Sequence, residues 1–133
     1  MPAMTISELA RSGRVGVETV RFYQRRGLLA LPEGGGTRRA GIRHYGEPDT
    51  LRLRFIRATQ RAGFTLAEIA ELLALDAGDD RIRVRAMARH RIAELDGSIA
   101  ELQGARMALA RLAKECAASE AGPCPIIAAF END

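Results

Sequence analysis

The sequence of 133 residues lacks tryptophan and has few other aromatic residues, with four Phe and two Tyr. Alanine, leucine, arginine and glutamate are abundant, which is typical of a mostly helical protein. No apolar run is long enough to span a bilayer, and no apolar segment follows the N-terminal methionine, so we expect neither a membrane anchor nor a signal peptide. These absences predict a cytoplasmic protein.

Cysteine is also scarce, since Cys116 and Cys124 are the only two and are separated by seven residues. Thiols stay reduced in the cytoplasm, so such a pair indicates a metal site or a redox sensor more than a structural disulfide. Soft thiolates select ions such as Cu(I), Ag(I), Au(I) or Hg(II), whereas Zn(II) prefers four ligands. The pair is therefore a candidate site for a soft metal ion.

The motifs of common enzymes are missing as well. The glycine run at residues 34–36 is not followed by Gly-Lys-Ser/Thr, so it is not a nucleotide-binding loop. We find no Ser/His/Asp grouping and no metal-hydrolase motif. The two histidines, His44 and His90, are expected at the surface or in the core, not as ligands. We therefore expect a protein that is not an enzyme.

The net charge of +3 conceals a strong asymmetry. Residues 1–63 carry twelve arginines against five acidic residues, a formal balance of +7. Residues 64–133 carry eight basic and twelve acidic residues, a balance of −4. A basic half joined to a mildly acidic one indicates that the first half contacts a polyanion.

Two short helical patterns open the chain. Thr5 and Glu8 have the spacing of a capping box that starts one helix, and a second pattern runs from Val17 to Gly27. Two short helices joined by a few residues are typical of a helix-turn-helix. The Arg- and Gly-rich stretch at residues 31–45, flanked by short extended pieces, is a candidate wing.

Two more helices follow the candidate wing. Pro48 suits the first turn of a third helix that runs to about Arg61. Thr65 and Glu68 repeat the capping-box spacing and start a fourth helix.

A fifth and longest helix is capped by Asp79 or Asp80 and runs to about Lys114 or Cys116. Its apolar positions include Ile92, Leu95, Ile99, Leu102, Leu109 and Ala113. Steps of three and four residues over this length favour a two-stranded coiled coil and hence a homodimer. The alternative is a helix packed along its own domain.

Four segments in a fixed order carry a resemblance to a known family. They are residues 17–29, Arg43-His44-Tyr45, residues 63–69 and the two-cysteine loop. In this order the chain resembles the MerR family of metal-responsive transcription regulators, in its copper-efflux and mercury-resistance branch, over nearly its whole length from Met4.

The resemblance implies a mainly α fold in three parts. Residues 1–78 would form a winged helix-turn-helix DNA-binding domain with connecting helices. Residues 79–115 would form a long dimerisation helix in an antiparallel coiled coil. Residues 116–133 would form a metal-binding loop and a short C-terminal helix.

The resemblance also implies how the protein acts. Family members bind double-stranded promoter DNA as homodimers, with the second helix in the major groove and the wing on the backbone. The metal-bound form distorts an overlong promoter spacer so that RNA polymerase can use it. The DNA-binding residues implied here are Thr19, Arg21, Tyr23, Arg38, Arg39, Arg43 and Tyr45, with Arg21 and Tyr23 mainly on phosphate.

The resemblance also limits which metal ions are expected. Divalent-metal members use an additional cysteine from the other protomer, and Arg81 occupies that position here. The missing thiolate and the seven-residue spacing resemble copper-efflux regulators, and Arg81 or Arg85 would balance the charge of two thiolates around a monovalent ion. However, copper-type members usually carry a small residue at that position, and the body of the chain is more similar to mercury regulators. We therefore expect Cu(I) or another monovalent ion, with Hg(II) sensing or thiol-redox and electrophile sensing as alternatives.

Overall fold

The computed structural model describes residues 4–32 and 44–132, and within these ranges the chain forms six helices. They are α1 (Ile6–Ser12), α2 (Val17–Arg25), α3 (Glu47–Arg61), α4 (Leu66–Ala77), α5 (Arg81–Ala118) and α6 (Pro125–Glu131). The described ranges contain no β-strand, but Met4 and Tyr45 form an isolated antiparallel bridge with backbone hydrogen bonds of 2.8 and 2.7 Å. The predicted mainly α fold is confirmed.

The chain divides into two compact units, Met1–Arg85 and Ala86–Asp133. The first unit contains α1 to α4 and the start of α5, and the second contains the rest of α5 and α6. The division therefore falls inside α5, whereas the sequence places its domain boundaries after residues 78 and 115. Those functional boundaries remain a prediction.

Local capping explains where two of the short helices begin. At α1, the Thr5 hydroxyl accepts from the Glu8 backbone N–H at 3.2 Å, and the Thr5 N–H donates to the Glu8 carboxylate at 3.1 Å. The same reciprocal pair joins Thr65 and Glu68 at the start of α4, at 3.1 and 2.9 Å. Each pair satisfies backbone donors that have no partner inside the helix, so the sequence predicts these two helix starts correctly.

The core of the first unit lies where α1, α2 and α3 meet, with α4 packed against α3. Its buried members are Leu9, Ala10, Val20, Tyr23, Leu28, Leu29, Tyr45, Leu53, Ile56 and Ile69. This apolar cluster positions α2, since one side of α2 is buried in it and the opposite side faces outward. The core thus sets which α2 residues are available to a partner.

The long helix α5 begins after Asp80, whose carboxylate accepts from the Arg83 backbone N–H at 3.1 Å. Five of its predicted apolar positions, Ile92, Leu95, Ile99, Leu102 and Leu109, are between 39% and 70% exposed. The apolar stripe that the sequence predicts is therefore open in the single chain. Within the described part of the chain, no helix combines the length and apolar character needed to cross a membrane.

Candidate functional site

The exposed side of α2 carries three charged residues and one aromatic ring. Glu18, Arg21, Phe22 and Arg25 are exposed and follow one another at steps of three, one and three residues, which places them on one side of a helix. Arg21 pairs with Glu18 at 3.1 Å across one turn. Of the predicted DNA contacts on α2, Arg21 lies on this open side and Thr19 is half-buried.

The two predicted tyrosine contacts lie differently. Tyr23 and Tyr45 are only 2% and 1% exposed, because both rings pack in the core of the first unit. The Tyr23 hydroxyl donates to the side-chain oxygen of Gln60 at 2.5 Å, and the Tyr45 hydroxyl accepts from the side-chain nitrogen of Gln24 at 3.0 Å. The free protein therefore does not present these tyrosines as open phosphate contacts, and burial of their large apolar rings is the physical reason.

Sequence reasoning missed Gln24 and Gln60. Their side chains satisfy the two buried phenols, so they hold α2 against α3 and against Tyr45. A glutamine at the edge of a helix face has the same sequence pattern as a solvated residue. The sequence indicates only that a buried tyrosine hydroxyl needs a polar partner. It does not indicate which residue is that partner.

The other predicted basic residues fall into two groups. Arg38, Arg39 and Arg43 lie outside the described residues, so their part in DNA binding stays a prediction. Arg81 and Arg85 lie at the start of α5, in the first unit, whereas both cysteines belong to the second. Their proposed role beside the metal likewise stays a prediction.

The structure brings the two cysteines together. Cys116 lies near the end of α5, and Cys124 is the residue that precedes α6, with Pro125 in the first turn of that helix. The two Sγ atoms are 3.8 Å apart, and both residues are half-buried. The loop between them turns at Gly122, where φ is +88°, a value that glycine adopts without strain.

The thiol groups differ in acidity. The backbone N–H groups of Ile127 and Ile126 stabilise the Cys124 thiolate and lower its pKa below that of a free cysteine. The Cys116 pKa is raised, mainly because its S–H group donates to the Cys124 sulfur and is then held in the protonated form. Cys124 is therefore the thiol that ionises first.

The donor set fits one soft metal ion. An ion bonded to both sulfurs at about 2.3 Å needs the sulfurs within about 4.6 Å of each other, and the observed 3.8 Å satisfies this limit. In the described residues, no group of three or more His, Cys, Asp or Glu side chains is placed to hold a metal. Two sulfurs with no third ligand among the described residues of one chain suit an ion of low coordination number better than zinc.

Comparison with known families agrees with this architecture. A family model described as "MerR HTH family regulatory protein" matches residues 4–76, and a second, "MerR, DNA binding", matches residues 50–112. The first match alone covers more than half of the chain. The chain belongs to the MerR family.

Relatives of this MerR-family protein include metal regulators. It is 38% identical to the mercuric resistance operon regulatory protein of Shigella flexneri over 98% of this chain and 89% of that protein. The lead(II) complex of the regulator PbrR691 from Ralstonia metallidurans CH34 has 32% identity and a TM-score of 0.71, over 96% and 98% of the two chains. The mercury(II) complex of MerR from Bacillus megaterium MB1 has 29% identity and a TM-score of 0.67, over 96% and 99%.

The unequal acidity of the cysteines in this MerR-family chain predicts unequal reactivity. Because the Cys124 pKa is lowered, a larger fraction of that side chain is thiolate at any pH below the pKa of a free cysteine. With limiting iodoacetamide, without metal or oxygen, Cys124 should be alkylated several-fold faster than Cys116, as measured by peptide mass spectrometry. In Cys116→Ser, the fast reaction of Cys124 should persist because the backbone N–H groups remain. Faster labelling of Cys116 would contradict the assignment.

Proposed function

We propose that this MerR-family chain is a promoter-binding transcription regulator that is switched by a soft metal ion held between Cys116 and Cys124. The observation that carries the proposal is the 3.8 Å separation of the two Sγ atoms. Two sulfurs at this distance can bind the same ion, and the pair belongs to the second unit, whereas α2 belongs to the first. Sensing and DNA recognition are thereby assigned to different parts of one chain.

The DNA-binding half of the proposal is supported by charge and exposure. The exposed side of α2 includes Arg21 and Arg25, and Arg26 follows at the end of the helix. Arginines on an open helix suit phosphate and base-edge contacts in double-stranded DNA. Thr19 and Arg21, together with Arg38, Arg39 and Arg43 of the candidate wing, are the contacts we propose, with the hydroxyl ends of Tyr23 and Tyr45 contributing after local rearrangement.

The open apolar stripe of α5 supports a homodimer. Ile99 and Leu102 are 51% and 70% exposed, although they belong to a stripe with heptad-like spacing. A stripe of this length is costly to leave in water, and an antiparallel second copy would cover it with the same residues. A dimer would also present two α2 helices to the two halves of a promoter site.

The donor set and the relatives favour different ions. Two thiolates without a third protein ligand favour Cu(I), Ag(I) or Au(I), since a monovalent ion leaves a net negative charge that Arg81 or Arg85 of the partner copy would balance. The similarity to mercuric resistance regulators favours Hg(II). On the basis of the two sulfur ligands, we propose Cu(I) as the activating ion, with Hg(II) as the alternative.

The switch itself would act through the shape of the DNA. A dimer holds two DNA-binding units at a fixed separation and imposes a shape on the duplex, at a cost of several kcal/mol. A metal ion that binds one dimer conformation more tightly shifts the population toward that conformation. If that conformation untwists an overlong promoter spacer, RNA polymerase can then start transcription.

The test is an anaerobic titration of the reduced protein with Cu(I) and, separately, with Hg(II), each against a competing chelator. Run-off transcription from the protein's own promoter is measured in the same preparations. We expect Cu(I) to bind and to increase the transcript about tenfold or more, which corresponds to about 1.4 kcal/mol of population shift. Activation by Hg(II) alone would select the alternative ion, and no activation by either ion would overturn metal sensing.

The 3.8 Å contact also favours a second candidate function, a thiol-redox sensor. The Sγ atoms of Cys116 and Cys124 would have to approach from 3.8 Å to about 2.05 Å to form a disulfide bond. In such a reaction, the Cys124 thiolate attacks a small-molecule disulfide and releases one thiol, and Cys116 then displaces the second, so that two electrons pass to the oxidant. Activation by oxidised glutathione with metal chelated would favour this function over metal sensing.

A further inference from the structure

We infer that Phe22 reads the 5-methyl group of a thymine in the major groove, and so helps to set the base sequence that α2 selects. The inference rests on the proposed function, because it needs α2 to lie in the major groove. The other exposed residues on this side of α2 are charged, so Phe22 would add an apolar contact that helps to determine the base sequence.

The position of Phe22 on α2 is the first support. It follows Arg21 and precedes Arg25 by three residues, so the ring lies on the same open side as both arginines. Phe22 is 38% exposed, whereas its neighbour Tyr23 is 2% exposed and packs in the core. Part of the Phe22 ring is therefore open to a partner on the basic side of the helix, whereas the Tyr23 ring is not.

The ring is also held in place. The Arg26 guanidinium lies over the Phe22 ring at 5.8 Å from its centroid, and the Tyr23 ring lies at 6.0 Å with an interplanar angle of 51°. A cation above one face stabilises the ring in its orientation. Both contacts favour this orientation of the ring, and a side chain that is already oriented loses less entropy when it meets a base.

The surrounding charge identifies the partner. Arg21 and Arg25 share the open side of α2 with Phe22, and the Arg26 guanidinium lies over the ring. With the exposed Glu18 included, these side chains carry a net charge of +2, so this side suits an anionic surface such as the phosphates of a duplex. Inside the major groove the only apolar group on a base edge is the thymine methyl, which Phe side chains contact. An exposed ring among arginines thus fits a thymine edge bordered by phosphates.

The experiment uses the full-length protein and a duplex that the wild-type protein has selected from a random-sequence pool. Each thymine is replaced in turn by deoxyuridine, which removes only the methyl group. For the wild-type protein we expect one position per half-site at which this replacement weakens binding about three- to fivefold, the effect of one buried methyl group. In Phe22→Ala, binding to the thymine duplex should fall, and the difference between thymine and deoxyuridine at that position should disappear.

Two further variants separate reading from a general loss of binding. Phe22→Leu keeps an apolar side chain and should retain part of the thymine preference. Arg25→Ala, on the same side of α2, should weaken binding to both duplexes equally and reduce the salt dependence. Tyrosine fluorescence confirms that each variant is folded, because both tyrosines lie in the core.

Two results would overturn the inference. One is a wild-type protein that selects a duplex but tolerates deoxyuridine at every position, which would leave the proposed function intact. The other is a thymine preference that survives in Phe22→Ala, which would assign the contact to another residue. A wild-type protein that selects no duplex would overturn both the inference and the proposed function.

Discussion

Replacing either cysteine with serine is expected to abolish the metal response and to leave promoter binding unchanged. A serine hydroxyl is a poor ligand for a soft ion, and with one sulfur removed the described residues offer no cluster of other ligands to replace it. Affinity for the activating ion should fall by more than about a hundredfold. Loss of a residue that only hydrogen-bonds to a metal ligand already lowers metal affinity by about 10- to 100-fold, and the cysteine is itself a ligand. Promoter binding should persist because α2 and the cysteines belong to different units.

The measurement is competitive metal titration together with run-off transcription, for Cys116→Ser and Cys124→Ser separately. His90→Ala is the matched control, because His90 is an exposed potential ligand that pairs with Glu94 at 3.1 Å and takes no part in the cysteine pair. It should respond to metal as the wild type does. A cysteine variant that still activates transcription would show that the sensing site lies elsewhere.

The helices were the most predictable part of this fold, and local chemistry is the reason. Thr5 with Glu8 and Thr65 with Glu68 carry both halves of a capping box within four residues, so the sequence alone places the helix starts. The pairing of Cys116 with Cys124 was predictable on similar grounds. A short loop limits how far apart its two ends can lie, although it does not determine the 3.8 Å separation of the sulfurs.

The partners of the tyrosines were not predictable, because they depend on contacts between distant segments. Phe22 and Tyr23 are adjacent aromatic residues on a nine-residue helix, and the sequence pattern did not decide which one is buried. The structure buries Tyr23, whose hydroxyl meets Gln60 from α3, 37 residues along the chain. The apolar stripe of α5 is the opposite case, since its sequence pattern is clear but the described residues of the single chain leave it exposed, and the partner that would cover it is part of our proposal.

Replacing Leu53 with alanine is expected to cause a large loss of stability in the first unit. Leu53 is fully buried in the core where α1, α2 and α3 meet. Removing a buried leucine side chain to alanine lowers the free energy of unfolding by about 2 to 5 kcal/mol, because it loses apolar contacts and leaves a cavity. Urea unfolding at fixed protein concentration, followed by tyrosine fluorescence, measures the effect on this unit, since the chain has no tryptophan and both tyrosines lie in the same core.

The close approach of Gly13 to Leu53 provides a stricter test. A Cβ atom at residue 13 would lie 2.5 Å from Cδ2 and 2.8 Å from Cγ of Leu53, so Gly13→Ala should cost about 1 to 3 kcal/mol through overpacking. Both of those Leu53 atoms are absent in Leu53→Ala. The double variant should therefore be about as stable as Leu53→Ala alone, and not destabilised by the sum of the two single effects.

Leu51→Ala is the matched control, because Leu51 lies on the same helix but is 55% exposed. It should change the free energy of unfolding by no more than about 0.5 kcal/mol. Additive effects of Gly13→Ala and Leu53→Ala would mean that the two residues do not contact each other in solution.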